Sequence, residues 1–492
     1  MRATILYLLL VGLPFLGVVG VLRIGARLTP ARSGAAPAEI SRATGAPAAA
    51  GRAGSRSEPA RPSPAIETTL VLLLQIGAIL LTSRALGRIF RAIGQPQVVG
   101  EMAAGILLGP SFLGWLAPRF SAALFPAASL GFLNTLCQVG LVLFMFLVGL
   151  ELDPRFLEGR GHIAVVTSHV SIIAPFLLGT ALALPLYPNL APAGVAFSSF
   201  ALFLGAAMSI TAFPVLARIL AERRLQQSSV GAVTLACAAV DDVTAWCILA
   251  LVVAIARVEG GAIPVARTLA GSAVFVVSMM TLGRRALARV DTLFRRRGTL
   301  TNDLFAAVLL VALASACVTE WLGIHALFGA FLSGAIMPKD RAFVRAILAR
   351  VEDLVVVLFL PLFFAFTGLR TRIALLSNAS MWLACAAVIL VAIAGKLGGS
   401  AIAARACSVP WREAATVGIL MNTRGLMELV ILNIGLEIGV VSPALFAMMV
   451  VMALVTTFMT TPLLDWVYPE PFREQARQAG LAAARDVAGE AS

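Results

Sequence analysis

SSVGAVTLACAAVDDVTAWCILALVVAIA, residues 228–256, is the stretch on which the reading of this chain turns. It is apolar except for small hydroxyl residues and one adjacent pair of acids, Asp241 and Asp242. About thirteen residues lie on either side of that pair, which places it near the middle of the run. A run of 20 or more apolar residues crosses a bilayer as a helix, with every backbone hydrogen bond made inside the segment. The period-two alternation that a membrane barrel needs is absent from it. An ionisable side chain at such a depth costs roughly 2.5–3.5 kcal/mol on insertion scales, so two in succession call for a function.

The rest of the chain repeats the pattern. Sixty per cent of its 492 residues are hydrophobic and 13% are charged, against about 25% charged in a typical soluble domain. The apolar runs predict an all-α polytopic membrane protein with thirteen spans: 67–87, 96–109, 130–151, 162–186, 195–221, 228–256, 264–283, 303–322, 324–338, 353–369, 379–404, 413–437 and 441–464. Residues 66–464 thus form one transmembrane domain and 465–492 a short polar tail. An apolar segment at 1–22 reads as an extra helix or a signal sequence, with Pro14 inside it and no clear cleavage site. Residues 23–65, rich in Ala, Pro and Arg, read as a disordered linker.

The net charge of +13 does not indicate a nucleic-acid partner, because the arginines are spread through loops between spans. Their distribution sets orientation instead. One set of alternate loops holds twenty Lys and Arg residues and the other holds five. The first set, and with it the C-terminal tail, is expected to be cytoplasmic, in a bacterial inner membrane. The six cysteines lie in or beside apolar runs without CxxC spacing and read as small hydrophobes. No cofactor is expected, and no metal beyond a transported ion.

Two spans, 195–221 and 413–437, carry helix-breaking or polar residues at mid-depth, seven spans apart. An odd offset inverts the second half relative to the first. Inverted repeats with interrupted helices point to a secondary transporter and to its site. Span 379–404 carries Lys396, and span 413–437 carries Arg424 and Glu428. Burial and a like-charged neighbour disfavour an ionised carboxyl, while a nearby cation favours it. A proton and a monovalent cation can therefore compete for Asp242. Ser209 and Thr211, just before Pro214, are expected to add oxygen ligands where proline frees the backbone. Lys396 is one of only two lysines among 38 basic residues. Lysine can release a proton and arginine cannot, so Lys396 reads as a titratable partner of Asp241. Arg424 and Glu428, one turn apart, read either as a pair that stabilises an interrupted helix or as transport residues. Glu101, Glu320, Glu437, His162, His169 and His325 form no ligand-like cluster.

At these residues the sequence resembles monovalent cation:proton antiporters of the sodium/hydrogen exchanger superfamily, in the branch with Kef-type potassium efflux proteins and plant CHX exchangers. The resemblance rests on GQPQVVGEMAAGILLGPSFLG (94–114), LVLFMFLVGLELD (141–153), SITAFPVLARIL (209–220), AAVDDVTAW (238–246), GIHALFGAFLSGAIMP (323–338), PLFFAFTGL (361–369) and MNTRGLMELVILNIG (421–435). It implies an NhaA-like fold, a homodimer embedded in membrane lipids, and exchange of Na+ or K+ for H+ by an elevator-like core. Asp242 is similar in position to the main ion-binding carboxylate, and Asp241 with Lys396 to the pair of electrogenic members. Kef-type relatives usually carry a nucleotide-binding regulatory domain, which is not expected here. Two other readings remain: a potassium efflux pathway without obligatory proton coupling, and an intramembrane aspartyl protease. The protease needs facing aspartates on different helices and a GxGD-type segment, neither of which the sequence supplies.

Overall fold

The computed structural model describes residues 8–28, 64–151, 161–223, 225, 228–257, 262–323, 325–470 and 472. Among these residues all regular structure is helical. In chain order the helices begin with α1 (Leu13–Gly25), α2 (Pro64–Ala92), α3 (Gln97–Leu108), α4 (Leu113–Leu116), α5 (Pro118–Leu124), α6 (Ala127–Glu151) and α7 (Gly161–Leu190). They continue with α8 (Phe197–Ser209), α9 (Phe213–Glu222), α10 (Ser229–Arg257), α11 (Ala262–Ser278), α12 (Arg284–Arg297), α13 (Asn302–Trp321) and α14 (Ala326–Ala335). The last are α15 (Arg341–Leu354), α16 (Leu360–Arg370), α17 (Ala379–Ile393), α18 (Gly399–Ala406), α19 (Trp411–Met421), α20 (Leu426–Glu437) and α21 (Pro443–Val467).

Eight helical runs among the described residues are long and apolar enough to cross a bilayer, and three shorter apolar helices accompany them. The protein is an integral membrane protein. Outer helices show lipid-facing apolar side chains: Leu81 on α2 is 75% exposed and Leu383 on α17 is 74% exposed. In a soluble protein such residues would be buried; here lipid replaces the missing protein partner.

Two of the thirteen sequence spans break into half-helices. Span 195–221 becomes α8 and α9, separated by extended residues 210–212. Pro214 has no N–H to give to a continuing helix but fits the first turn of a new one, where it stands second in α9. Span 413–437 becomes α19 and α20, separated by residues 422–425. The two breaks touch: the Ala212 N–H donates to the Thr423 carbonyl oxygen at 3.1 Å. Gly425 permits this approach, because a Cβ there would lie 2.8 Å from the Val215 side chain.

Three wide helical turns also interrupt long helices, at Met279–Gly283, Val355–Phe359 and Ala394–Gly398. The last joins α17 to α18 and contains Lys396. Such π-type turns recur at functional sites because they re-aim a side chain. Elsewhere, α6 and α14 cross at Gly149 and Gly334, where a Cβ on either would meet the other helix's backbone at 2.1 Å. Lys339 closes that crossing by donating to the Gly149, Leu150 and Gly334 carbonyl oxygens.

The segment at 1–22, read as an extra helix or a leader, is helical where described. In α1, Val18 is buried, and Gly25 lies so close to Phe197 of α8 that no side chain would fit between them. Most of the linker expected at 23–65, and nearly all of the tail at 465–492 beyond Phe472, lies outside the described residues.

Candidate ion-binding site

Asp241 and Asp242 lie inside α10, 0% and 3% exposed. Successive residues on a helix point about 100° apart, and the two acids meet different surroundings. Asp241 is enclosed by donors. Its Oδ1 accepts from Ser168 Oγ at 2.5 Å. Its Oδ2 accepts from Ser171 Oγ at 2.9 Å, Thr211 Oγ1 at 2.8 Å and Lys396 Nζ at 2.8 Å. Four donors thus surround this one carboxylate, three of them on Oδ2.

Lys396 is fully buried and equally saturated. Beyond Asp241, its Nζ donates to the carbonyl oxygens of Ser171 at 3.0 Å and Ser209 at 2.5 Å. Three ammonium hydrogens therefore meet three acceptors, as a buried charge requires. The wide turn at 394–398 carries this amine into the bundle beside α7, and Gly395 lies against Pro175 of that helix.

Asp242 is the contrast. Its Oδ1 is buried and has no hydrogen-bond partner among the described residues. Buried polar oxygens are nearly always satisfied, so an ionisable exception at mid-membrane is a candidate ligand. Asn422, in the second helix break, has a buried Oδ1 in the same condition.

Arg424 and Glu428 form the second buried pair, 3.3 Å apart and 0% and 1% exposed. The Arg424 guanidinium also donates to the carbonyl oxygens of Ala207 at 3.1 Å and Met208 at 2.6 Å. These carbonyls end half-helix α8, where helical acceptors have no helical donors and the dipole is negative.

The structure thus brings Asp241, Lys396, Thr211 and Ser209 into one network, and Arg424 with Glu428 onto its edge. The arrangement differs from expectation at two positions. Thr211 was expected beside Asp242; its hydroxyl is given to Asp241. Ser209 was expected to offer its hydroxyl; that group turns back to the Gly205 carbonyl oxygen, and the backbone carbonyl enters the network instead. The Ser209 carbonyl is available to Lys396 because the helix ends there and supplies it no helical donor. Glu101 is buried and accepts from Gln97 Nε2 at 2.7 Å. The sequence reading passed over Ser168 and Ser171 on α7. Their signal was present, as hydroxyls three residues apart and so on one face of the helix.

A family model described as sodium/hydrogen exchanger, transmembrane, matches residues 77–466. The chain belongs to the sodium/hydrogen exchanger family. It is accordingly a transporter rather than an enzyme, and the family needs no cofactor. This exchanger is 45% identical over 407 residues to the Na(+)/H(+) antiporter NhaS4 of Synechocystis, a match covering 82% of the chain and 98% of that protein. It is 43% identical over 403 residues to cation/H(+) antiporter 17 of Arabidopsis thaliana, covering 81% of the chain and 48% of the plant protein. It is 34% identical over 425 residues to K(+)/H(+) antiporter 1 of Saccharomyces cerevisiae, covering 85% of the chain and 48% of the yeast protein. The exchanger therefore spans about half the length of the plant and yeast relatives. Its fold is similar to that of the sodium proton antiporter MjNhaP1 of Methanocaldococcus jannaschii, with a TM-score of 0.60 at 14% identity over 84% of the chain and 99% of the neighbour.

Proposed function

We propose that this protein exchanges Na+ or K+ for H+ across the membrane by alternating access, with Asp242 as the group that takes cation and proton in turn. The observation that carries the reading is the unsatisfied, buried Oδ1 of Asp242 beside a fully satisfied Asp241–Lys396 pair. Charge counting supports it. On α10 and α20, Asp241 is matched by Lys396 and Glu428 by Arg424, which leaves Asp242 as the carboxylate without a matching cation. One monovalent cation, or one proton, neutralises that remainder. Either occupant relieves the cost of an unpaired charge in a low-dielectric interior. Kinship with Na+/H+ and K+/H+ antiporters agrees with this cargo.

The reading extends to electrogenic exchange, in which Lys396 gives up a proton when the cation binds and regains it when the cation leaves. Asp241 keeps three hydroxyl donors without the lysine, so the network survives its neutralisation. The two touching breaks fit an inverted-repeat core that moves as a unit in a homodimer, with the Arg-rich loops and the C-terminus on the cytoplasmic side of a bacterial plasma membrane.

Reconstitution tests the reading. Liposomes containing the protein and a trapped pH dye should lose an imposed pH gradient on addition of Na+ or K+, and Asp242→Asn should not. Asp242→Asn exchanging as fast as the parent protein would remove the site assignment. Cation flux without proton movement would favour an uncoupled potassium efflux pathway.

A further inference from the structure

Helix α21 carries the threonines Thr456, Thr457, Thr460 and Thr461, all buried. Threonine inside a membrane helix ordinarily returns its hydroxyl to the carbonyl one turn earlier. Thr456 does so to Met452, and Thr460 does so to Thr456. Thr457 points elsewhere. Its Oγ1 donates to the Arg424 carbonyl oxygen at 2.7 Å and accepts the Arg424 N–H at 3.0 Å. One side-chain oxygen thereby serves both backbone groups of a residue in the unwound segment 422–425, where no helical partner exists.

The side chain of the residue so held reaches the other half-helix. Arg424 grips the carbonyl oxygens of Ala207 and Met208, and Lys396 grips the next one, Ser209. Two cations thus hold three successive carbonyls at the end of α8. The same Lys396 nitrogen is bound to Asp241. A continuous line of contacts runs from Thr457 through Arg424 and the end of α8 to Lys396 and Asp241. We infer that Thr457 is a positioning residue for cation binding. It fixes the Arg424 backbone, and so fixes where the end of α8 and the Lys396–Asp241 pair stand relative to Asp242. The inference rests on the proposed role of Asp242. It adds a working part on a helix that carries no charge of the site.

The test compares Thr457→Val, which keeps the shape and removes both hydrogen bonds, with Thr457→Ser, which keeps the hydroxyl. Two hydrogen bonds of typical net strength correspond to about a tenfold change in an equilibrium constant. In liposomes, Thr457→Val should raise the cation KM about tenfold and leave Vmax within about twofold, the pattern of lost binding. Thr457→Ser should restore the parent KM. Amide exchange at residues 423–425, followed by mass spectrometry in detergent, should rise in Thr457→Val and not in Thr457→Ser. An unchanged KM in Thr457→Val, or a fall in Vmax alone, overturns the inference while the parent still exchanges. No exchange by the parent sinks the proposed function instead. The clamp is then judged by amide exchange alone, and equal protection in all three proteins overturns it.

Discussion

Lys396–Asp241 and Arg295–Asp340 are ion pairs of one chemistry in opposite surroundings. The first is 2.8 Å long with both side chains fully buried. The second is 3.3 Å long, with Arg295 63% exposed and divided between Asp340 and Asp291. It belongs to a surface patch formed by α12 and α15, whose apolar faces meet at Phe294 and Phe343, 5.3 Å between ring centres. Around the exposed pair, water completes whatever the protein leaves undone, so loose and shared contacts suffice. Around the buried pair nothing else is available: every hydrogen of Lys396 has an acceptor, and both oxygens of Asp241 have donors. The comparison gives the unsatisfied oxygen on Asp242 its weight. In the surface patch it would be ordinary, whereas in the core it sets Asp242 apart from the Asp241 beside it.

The sharpest way to break this contrast is Asp242→Asn. Exchange should fall to the leak of empty liposomes while the melting temperature holds, because a neutral amide relieves an unpaired buried charge. A lower melting temperature with exchange retained would mean that Asp242 is structural. Arg424→Gln should come next, leaving Glu428 buried without a counter-charge. Removing one partner of such a pair costs about 3–5 kcal/mol, and a denaturation curve in detergent reads it. Lys396→Gln should retain exchange that no longer moves net charge, as followed with a potential-sensitive dye. Unchanged charge movement would refute the coupling role of the lysine.

The smallest effects belong to the surface patch. Arg295→Ala should leave exchange and the melting temperature unchanged, since exposed pairs contribute little. Asp340 caps α15 by accepting the Phe343 and Ala342 N–H groups. The Phe343 bond first, helped by the Ala342 bond and Arg295, holds its carboxyl below the usual carboxylate range. A depressed folded value adds stability that is complete above the unfolded value, about pH 4, and is lost as the pH falls through the folded one. The difference in melting temperature between Asp340→Ala and the parent should therefore be constant near neutrality and shrink only below about pH 4. A difference that changes between pH 6 and 8 would show that another group is responsible.

Much of this site was legible in the chain, for a reason particular to membranes. Charges are so costly in an apolar run that Asp241, Asp242, Lys396, Arg424 and Glu428 stand out without any structure. Hydroxyl residues carry no such penalty, and they were harder to judge. Ser168 and Ser171 look like many serines in membrane helices, and Thr457 sits in a run of threonines of which Thr456 and Thr460 bond to their own helix. Thr211 was legible as a site residue, but which of two adjacent acids it serves was not. Hydropathy made the apolar helices legible, though the first described long one runs Pro64–Ala92 where 67–87 was expected. The split of 195–221 and 413–437 into half-helices was legible from Pro214 and the polar residues at 422–425, but the contact between the two breaks was not.

Sequence by itself determined that the chain spans a membrane, that five charged residues stand at mid-depth, and that lysine stands where arginine is the rule. These follow from the free energy of placing side chains in hydrocarbon, which each residue carries wherever its neighbours are. Only the tertiary structure decided that Asp241 would be saturated and Asp242 left open. Adjacent residues on one helix face different neighbours, and which of them meets the donors on α7, α17–α18 and the α8 break depends on how those helices pack.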